Sequence, residues 1–193
     1  MVDRTSIEEV DADYYNLDDI MATKSTIACN YSPESPSEVF RLIGQKPPET
    51  IPPKGFKTET PVWMASVLTS KTVFHVEAQT PKAFSEAMRD GLKAKPEVAN
   101  LDSFCLHFYL LGRHVAKIVG GDHGKSIADC LLRVFMKRSG YIFRMSVDPS
   151  TKPMKFDSTE KKLFLLAQRS EIRTTEWFHR VDRRSLKRKH SSK

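Results

Sequence analysis

The sequence predicts an α+β fold that is mainly α-helical, with a small β-rich part followed by a helical bundle. Segments with strand composition all lie before residue 80, and long segments with helical spacing of apolar residues fill the second half. Residues 32–60 are rich in proline, and Pro47-Pro48 and Pro52-Pro53 indicate a loose insertion. We therefore expect a β-rich domain over 1–80 that carries this insertion, a helical domain over 81–185, and a disordered basic tail over 186–193.

In the first part, Asn16 has the residue type and position to cap a short helix that starts at Leu17. Residues 22–31 and 71–77 have strand composition, and residues 39–44 (VFRLIG) suggest a short strand that ends at a turn. Residues 61–68 begin with a proline suited to the first turn of a helix.

The sequence of the second part predicts four helices. Thr80-Pro81 has the pattern of an N-cap followed by a proline in the first turn, and it begins a helix that ends near Pro96. Further helices are expected over 101–119 and 125–145, separated by Gly120-Gly121. Asp157 with Glu160 resembles a capping box that begins the last helix.

The segment 101–119 is the most informative, because its apolar side chains cover nearly the whole helix circumference. A helix that is apolar all round must be covered all round, and a chain of 193 residues has a limited interior. We therefore expect a subunit that completes its core with a partner.

The charge distribution suggests different partners for the two ends. Residues 1–60 contain 6 Lys or Arg against 11 Asp or Glu, whereas the whole chain has a net charge of +7. The basic C-terminal run fits a nuclear import signal at Lys187, Arg188 and Lys189, contact with DNA, or a solvated end. No apolar run is long enough to span a membrane, and the acidic N-terminus predicts no secretory signal. Three cysteines without a CxxC pair suggest a reduced, intracellular protein.

Candidate chemical motifs are weak. Gly124-Lys125-Ser126 ends like a phosphate-binding loop, but Val119 stands where that motif needs glycine, so a helix–helix connection is favoured. His107 and His114 lack further partners for a metal site, and adjacent Asp18 and Asp19 favour capping or ion pairing over acid–base catalysis. We expect no catalytic residue, no cofactor and no metal.

Five short segments, in order, resemble the third subunit of the GINS complex, a family of eukaryotic DNA-replication proteins. Residues 15–21 (YNLDDIM) resemble its LDDI opening, and residues 60–65 (TPVWMA) resemble its LPLWLA phrase. Residues 107–109 (HFY), 160–164 (EKKLF) and 187–189 (KRK) resemble its second large helix, its last helix and its basic end.

This resemblance implies a non-catalytic scaffold subunit of a heterotetramer, with a small B domain placed before a helical A domain. It implies binding to three sister subunits, the MCM helicase ring, a RecJ-like partner and the replicative polymerase during initiation and elongation of DNA replication. It further implies a nuclear protein with weak or indirect DNA contact and no membrane association. The alternatives are a nucleotide hydrolase that uses Lys125, a self-contained helical DNA-binding protein that uses its basic tail, and a generic helical adaptor.

The candidate interface residues are apolar or aromatic positions on predicted helices, together with the acidic pair near the N-terminus. They are Leu17, Asp18, Asp19, Ile20, Trp63, Phe104, Phe108, Tyr109, Leu111, Val115, Ile127, Leu131, Phe135 and Trp177.

Overall fold

The computed structural model describes residues 15–42, 44, 55–70 and 75–190, with only the backbone at Ser37 and over 182–190. The predicted fold class is confirmed, since a three-stranded antiparallel sheet accompanies a larger set of helices. The N-terminal part contains α1 (Leu17–Thr23), β1 (Thr26–Tyr31), α2 (Ser37–Leu42), β2 (Phe56–Pro61), α3 (Val62–Ser70) and β3 (Val76–Ala78). The C-terminal part contains a 3₁₀ turn (Lys82–Phe84), α4 (Glu86–Ala94), α5 (Phe108–Val119), α6 (Gly121–Ser146) and α7 (Ser158–His190).

The sheet has the order β2-β1-β3, with β1 in the centre. Strand β1 pairs with β2 from Thr26↔Pro61 to Tyr31↔Phe56, and with β3 from Cys29↔Ala78 to Tyr31↔Val76. Alternate residues of β1 are buried, as expected for a strand with one face on a core. Strand β2 lies at the end of the predicted loose insertion, so that prediction is wrong from residue 56 onward. The sequence of residues 56–61 predicts a strand only weakly, but pairing with β1 and burial of Thr60 stabilise one there.

Several local predictions are confirmed at their capping residues. The Asn16 side chain accepts hydrogen bonds from the backbone N–H groups of Asp18 and Asp19 at 3.1 and 3.4 Å. Gly120 ends α5 at φ +61°, a backbone conformation that favours glycine. The Asp157 carboxylate accepts a hydrogen bond from the backbone N–H of Glu160 at 2.8 Å, which caps α7.

Other local predictions are wrong. Residues 39–42 are helical rather than extended, because Val39 and Phe40 are buried and the Phe40 ring packs against Tyr31 at 5.8 Å. Thr80 does not cap a helix, since the chain forms a 3₁₀ turn and Ser85 is extended before α4. Residues 43, 45–54 and 71–74, which include parts of two predicted elements, lie outside the described residues.

The helix predicted over 101–119 begins only at Phe108. Residues 101–107 form turns, because Leu101 N donates to Lys155 O at 3.2 Å and Ser158 N donates to Leu106 O at 2.8 Å. The next helix begins at Gly121, four residues earlier than predicted, directly after the Gly120 break.

The predicted tail also needs correction, because the α7 backbone continues through His190. Residues 186–189 (LKRK) are good helix formers, and neither glycine nor proline interrupts them. Residues 191–193 lie outside the described residues.

One hydrophobic core joins the sheet and the helical bundle. Buried side chains from β1, α2, α3 and β3 belong to the same cluster as those of α4, α5 and α6. A smaller cluster of Ile142, Phe156 and Phe164 connects the C-terminal end of α6 with α7. Helix α5 lies in the middle of this arrangement, in contact with α1, α3 and α6.

Candidate interaction surfaces

A fully buried ion pair joins the C-terminal half of α6 to the first turn of α7. Arg138 and Glu160 both have 0% exposed side chains, and they form two parallel hydrogen bonds, Nε–Oε1 at 2.6 Å and Nη2–Oε2 at 2.8 Å. The Tyr109 hydroxyl of α5 donates to the same Glu160 Oε1 at 2.8 Å. We call this group the Arg138 clasp; no pattern in the sequence singles out Arg138.

The remaining Arg138 donors bind backbone carbonyl oxygens. Nη1 donates to Pro96 at 2.5 Å and to Ala99 at 2.9 Å, while Nη2 donates to Lys155 at 3.2 Å. Although burial alone would lower the pKa of Arg138, the hydrogen bonds and negative charge of Glu160 raise it. The guanidinium therefore stays charged and fixes two irregular connections against α6.

The clasp also changes the titration of its neighbours. Burial, reinforced by the negative charge of Glu160, raises the pKa of Tyr109 above its ordinary value. Burial also raises the pKa of Asp157 to about 6, with the Glu160 charge acting in the same direction. The capping box predicted at Asp157 and Glu160 is thus half correct, because the Glu160 side chain binds Arg138 and Tyr109 instead of its own helix cap.

The acidic pair of α1 faces basic residues of the same chain. Asp19 Oδ1 lies 2.9 Å from Arg113 Nη2 and 2.8 Å from His114 Nε2, both on α5. Asp18 forms an ion pair with Lys162 of α7. These contacts attach α1 to the bundle of the same chain. They do not test whether the acidic pair also contacts a partner, so its interface role stays a prediction. Leu17 and Ile20 of the same helix point away from the core and are exposed.

Four predicted interface residues lie in the chain's own core. They have at most 8% exposure and are Phe108, Leu111, Val115 and Ile127. The Phe108 ring stacks on Phe84 at 5.1 Å. The sequence predicts that these side chains are covered but does not divide them between core and partner; α1, α3 and α6 of the same chain pack against α5, which carries three of them.

Three other predicted residues meet in an open groove between α5 and α6. Tyr109, Leu131 and Phe135 line this groove, whose volume is about 600 Å³. Tyr109 and Phe135 contact edge to face at 5.3 Å between ring centroids. Leu132, which sequence reasoning missed, adds a side chain that is 59% exposed. We call this feature the α5–α6 groove.

Trp177 lies on the part of α7 that extends past the bundle. Every side chain from residue 171 to 181 is exposed. Leu166, Trp177, Phe178 and Val181 fall within about 120° of the helix circumference, and we call them the α7 stripe. The rings of Trp177 and Phe178 contact each other at 5.0 Å. Trp63 of α3 and Phe104 of the 101–107 turns are exposed elsewhere on the surface.

The segment that resembles a phosphate-binding loop lies in the first turns of α6. Gly124 is buried against α5, and Lys125 forms an exposed ion pair with Asp122 at 3.7 Å. The Ser126 hydroxyl accepts a hydrogen bond from Arg89 Nη1 at 2.7 Å. These contacts pack the start of α6 against α5 and α4, and they agree with the helix–helix connection favoured over a nucleotide site.

Within the described residues, no group of three His, Cys, Asp or Glu side chains is arranged to hold a metal ion. None of the described helices is long and apolar enough to cross a membrane. All three cysteines are free thiols, and burial raises the pKa of each.

Comparison with known proteins agrees with the motifs. DNA replication complex GINS protein psf3 of Aspergillus fumigatus is 26% identical over 175 residues, which cover 85% of this chain and 95% of that protein. The PSF3 protein of Mus musculus is 26% identical over 166 residues, which cover 81% of this chain and 76% of that protein. The PSF3 protein of Eremothecium gossypii is 32% identical over 115 residues, which cover 54% of this chain and 60% of that protein.

No protein-family model matches the chain. Seven curated proteins from fungi and vertebrates match it at 24–32% identity, and all carry the psf3 name. The resemblance predicted from the five motifs is therefore confirmed: over most of its length this chain is similar in sequence to the psf3 proteins of the GINS complex.

Proposed function

We propose that this chain is the psf3-type subunit of a heterotetrameric GINS complex and acts there as a non-catalytic scaffold. Its direct partners are three sister subunits. Through them it contributes to the replicative helicase assembly with the MCM ring and a RecJ-like partner, and to tethering of the replicative polymerase. The names of its homologues support a role in a DNA replication complex.

The observation that carries this proposal is the α7 stripe. Residues 171–190 form a helical segment about 30 Å long, at 1.5 Å per residue. A single helix in water derives little stability from its own hydrogen bonds, and most helices in proteins are stabilised by packing of an apolar face. Two adjacent aromatic rings that are each 56% exposed are unusual on a helix without a partner. A sister subunit that packs on the stripe would bury both rings.

The clasp and the shared core make the chain suited to this role. Arg138 and Glu160 fix the start of α7 to the bundle, so the direction in which the helix leaves the body is set by this chain alone. Because the start of α7 is already fixed to the bundle, association has less conformational entropy to remove there. This arrangement supports a scaffold more directly than it supports catalysis.

Co-expression with the three sister subunits tests the proposal, with Trp177→Asp as the perturbation. Loss of a large aromatic side chain from an interface centre typically weakens binding by about 2 kcal/mol or more, or roughly 30-fold. We expect the variant to be depleted from the complex in size-exclusion chromatography, while its circular dichroism spectrum as a free chain is unchanged.

Ile172→Asp is the matched control, because Ile172 is also exposed on α7 but lies about 140° from Trp177 around the helix. It should co-purify in normal amounts. Equal recovery of the Trp177→Asp variant and the unmodified chain in a four-subunit complex would argue against the stripe as an interface. Failure of the unmodified chain to join the sister subunits would refute the proposed function itself.

Nuclear localisation is part of the proposal and rests on residues 187–189. The α7 backbone includes these residues, but their side chains lie outside the described residues. Replacing Lys187, Arg188 and Lys189 with glutamine should abolish nuclear accumulation of a fluorescent fusion in dividing cells. Unchanged accumulation would show that the import signal lies elsewhere or on a partner.

A further inference from the structure

The α5–α6 groove is an apolar opening of about 600 Å³ for which the structure also supplies a charge pattern. Its floor consists of Leu131, Leu132 and Phe135 on one side and Ala116 on the other. The opening of about 600 Å³ is filled by no described segment of the chain. It is separate from the α7 stripe, which lies on another helix.

The groove exists because small residues meet at the junction of the two helices. A Cβ atom on Gly124 would lie 2.3 Å from the Ala116 carbonyl oxygen, so the helices are in direct backbone contact there. Residues with little or no side chain also line the groove and leave space in it: Gly120, Gly121, Gly124 and Ala128. The lining residues of α6, from Gly121 to Phe135, span about 21 Å, which corresponds to four turns of an added helix.

The rim of the groove is positively charged. Arg113, Lys117 and Lys125 lie along it, and no described carboxylate belongs to its lining. Asp19 and Asp122 contact Arg113 and Lys125 from outside the groove, whereas Lys117 is exposed within the rim. An apolar floor with a cationic rim is complementary to an amphipathic helix that has acidic residues beside its apolar face.

We propose that the α5–α6 groove binds an acidic amphipathic helix of another subunit of the replication complex. This inference rests on the proposed function and adds the position and the chemistry of one contact. The apolar residues of that helix would cover Leu131, Leu132 and Phe135, and its carboxylates would lie opposite Lys117 and its neighbours.

Site-specific photo-crosslinking in the assembled complex tests the occupant. Leu132→p-benzoylphenylalanine places the reactive group on the groove floor at an exposed position. Irradiation followed by mass spectrometry should identify a segment of a sister subunit with apolar residues at helical spacing and flanking Asp or Glu. A crosslink to residues 1–14 of the same chain, to a second copy, to a segment without acidic residues, or to nothing would overturn the proposal.

Trp177→p-benzoylphenylalanine distinguishes this inference from the proposed function. If the complex assembles and crosslinks at Trp177 but not at Leu132, the groove proposal fails while the subunit role stands. If the complex does not assemble with the unmodified chain, the proposed function fails first.

Charge reversal at the rim provides a second test. Lys117→Glu should slow association of this chain with the remaining subunits about fivefold at low salt, and the difference should shrink at high salt. Lys57→Glu is the control, because Lys57 is an exposed lysine on β2, an edge strand of the sheet. An association rate for Lys117→Glu equal to that of the control at every salt concentration would overturn the proposal.

Discussion

Removal of Arg138 should strongly destabilise the helical part. In Arg138→Met the Glu160 carboxylate, which is 0% exposed in the unmodified chain, loses both hydrogen bonds from the guanidinium. Breaking one partner of a buried ion pair costs about 3–5 kcal/mol, because an uncompensated charge is left in the interior. A domain of ordinary size is stable by only about 5–15 kcal/mol, so at least about a fifth of the free energy of unfolding is at stake.

Urea unfolding of the full chain, followed by circular dichroism at the helical band, measures this effect. The double variant Arg138→Met/Glu160→Met removes both charges and should regain part of the loss. Recovery will be incomplete, because the carbonyl oxygens of Pro96, Ala99 and Lys155 still lose their donors. We expect a coupling free energy of about 2 kcal/mol or more between the two positions.

Two results would refute this reasoning. A loss below about 1 kcal/mol in Arg138→Met would mean that water or another cation reaches Glu160. A double variant no more stable than the less stable single variant would mean that the pair acts through side-chain volume and not through charge.

Three further predictions concern α7, α6 and α1. In the folded chain the pKa of Asp157 is about 6, above its ordinary value of 3.8. The protonated carboxyl therefore adds to the free energy of unfolding, and this contribution is full below pH 4 and is lost as pH rises through 6. In urea titrations, the free energy of unfolding of Asp157→Asn should therefore rise by up to about 3 kcal/mol relative to that of the unmodified chain between pH 4 and pH 7. A difference between the two chains that does not change with pH would contradict this. Gly124→Ala should lower the melting temperature at a cost of about 1–3 kcal/mol, whereas Gly140→Ala, with no atom within 4 Å of its new Cβ, should not lower it. Asn16→Ala should cost about 1 kcal/mol and speed amide exchange at Asp18 and Asp19, and unchanged exchange would exclude the cap.

Sequence patterns predicted best where the cause of a structure is local. The Asn16 cap, the helix after Pro61 and the Gly120 break each depend on residues within one turn of the feature. The prediction of a helix over 101–107 is wrong because backbone groups of this segment form hydrogen bonds with Lys155 and Ser158, more than fifty residues away. Helical periodicity is the same whether or not such distant partners exist.

The Arg138 clasp could not be predicted for a related reason. An arginine in a helical segment is ordinarily a surface residue, and its partner Glu160 is twenty-two residues later on another helix. The only local signal, Asp157 followed by Glu160, indicated a cap and assigned Glu160 a different partner. Phe108 shows a different limit, because hydrophobicity indicates that a side chain is covered but does not indicate which segment covers it.

The continuous core has a consequence for how the protein loses its structure. Side chains from β1 and α3 share one apolar cluster with those from α5 and α6, so neither part keeps a complete interior when the other melts. Denaturation should then be a single cooperative event, and a protease nick between strands would release no independently folded fragment. A harmful replacement near Tyr31 would consequently reduce the abundance of the whole polypeptide in the cell, far from any surface that a partner contacts.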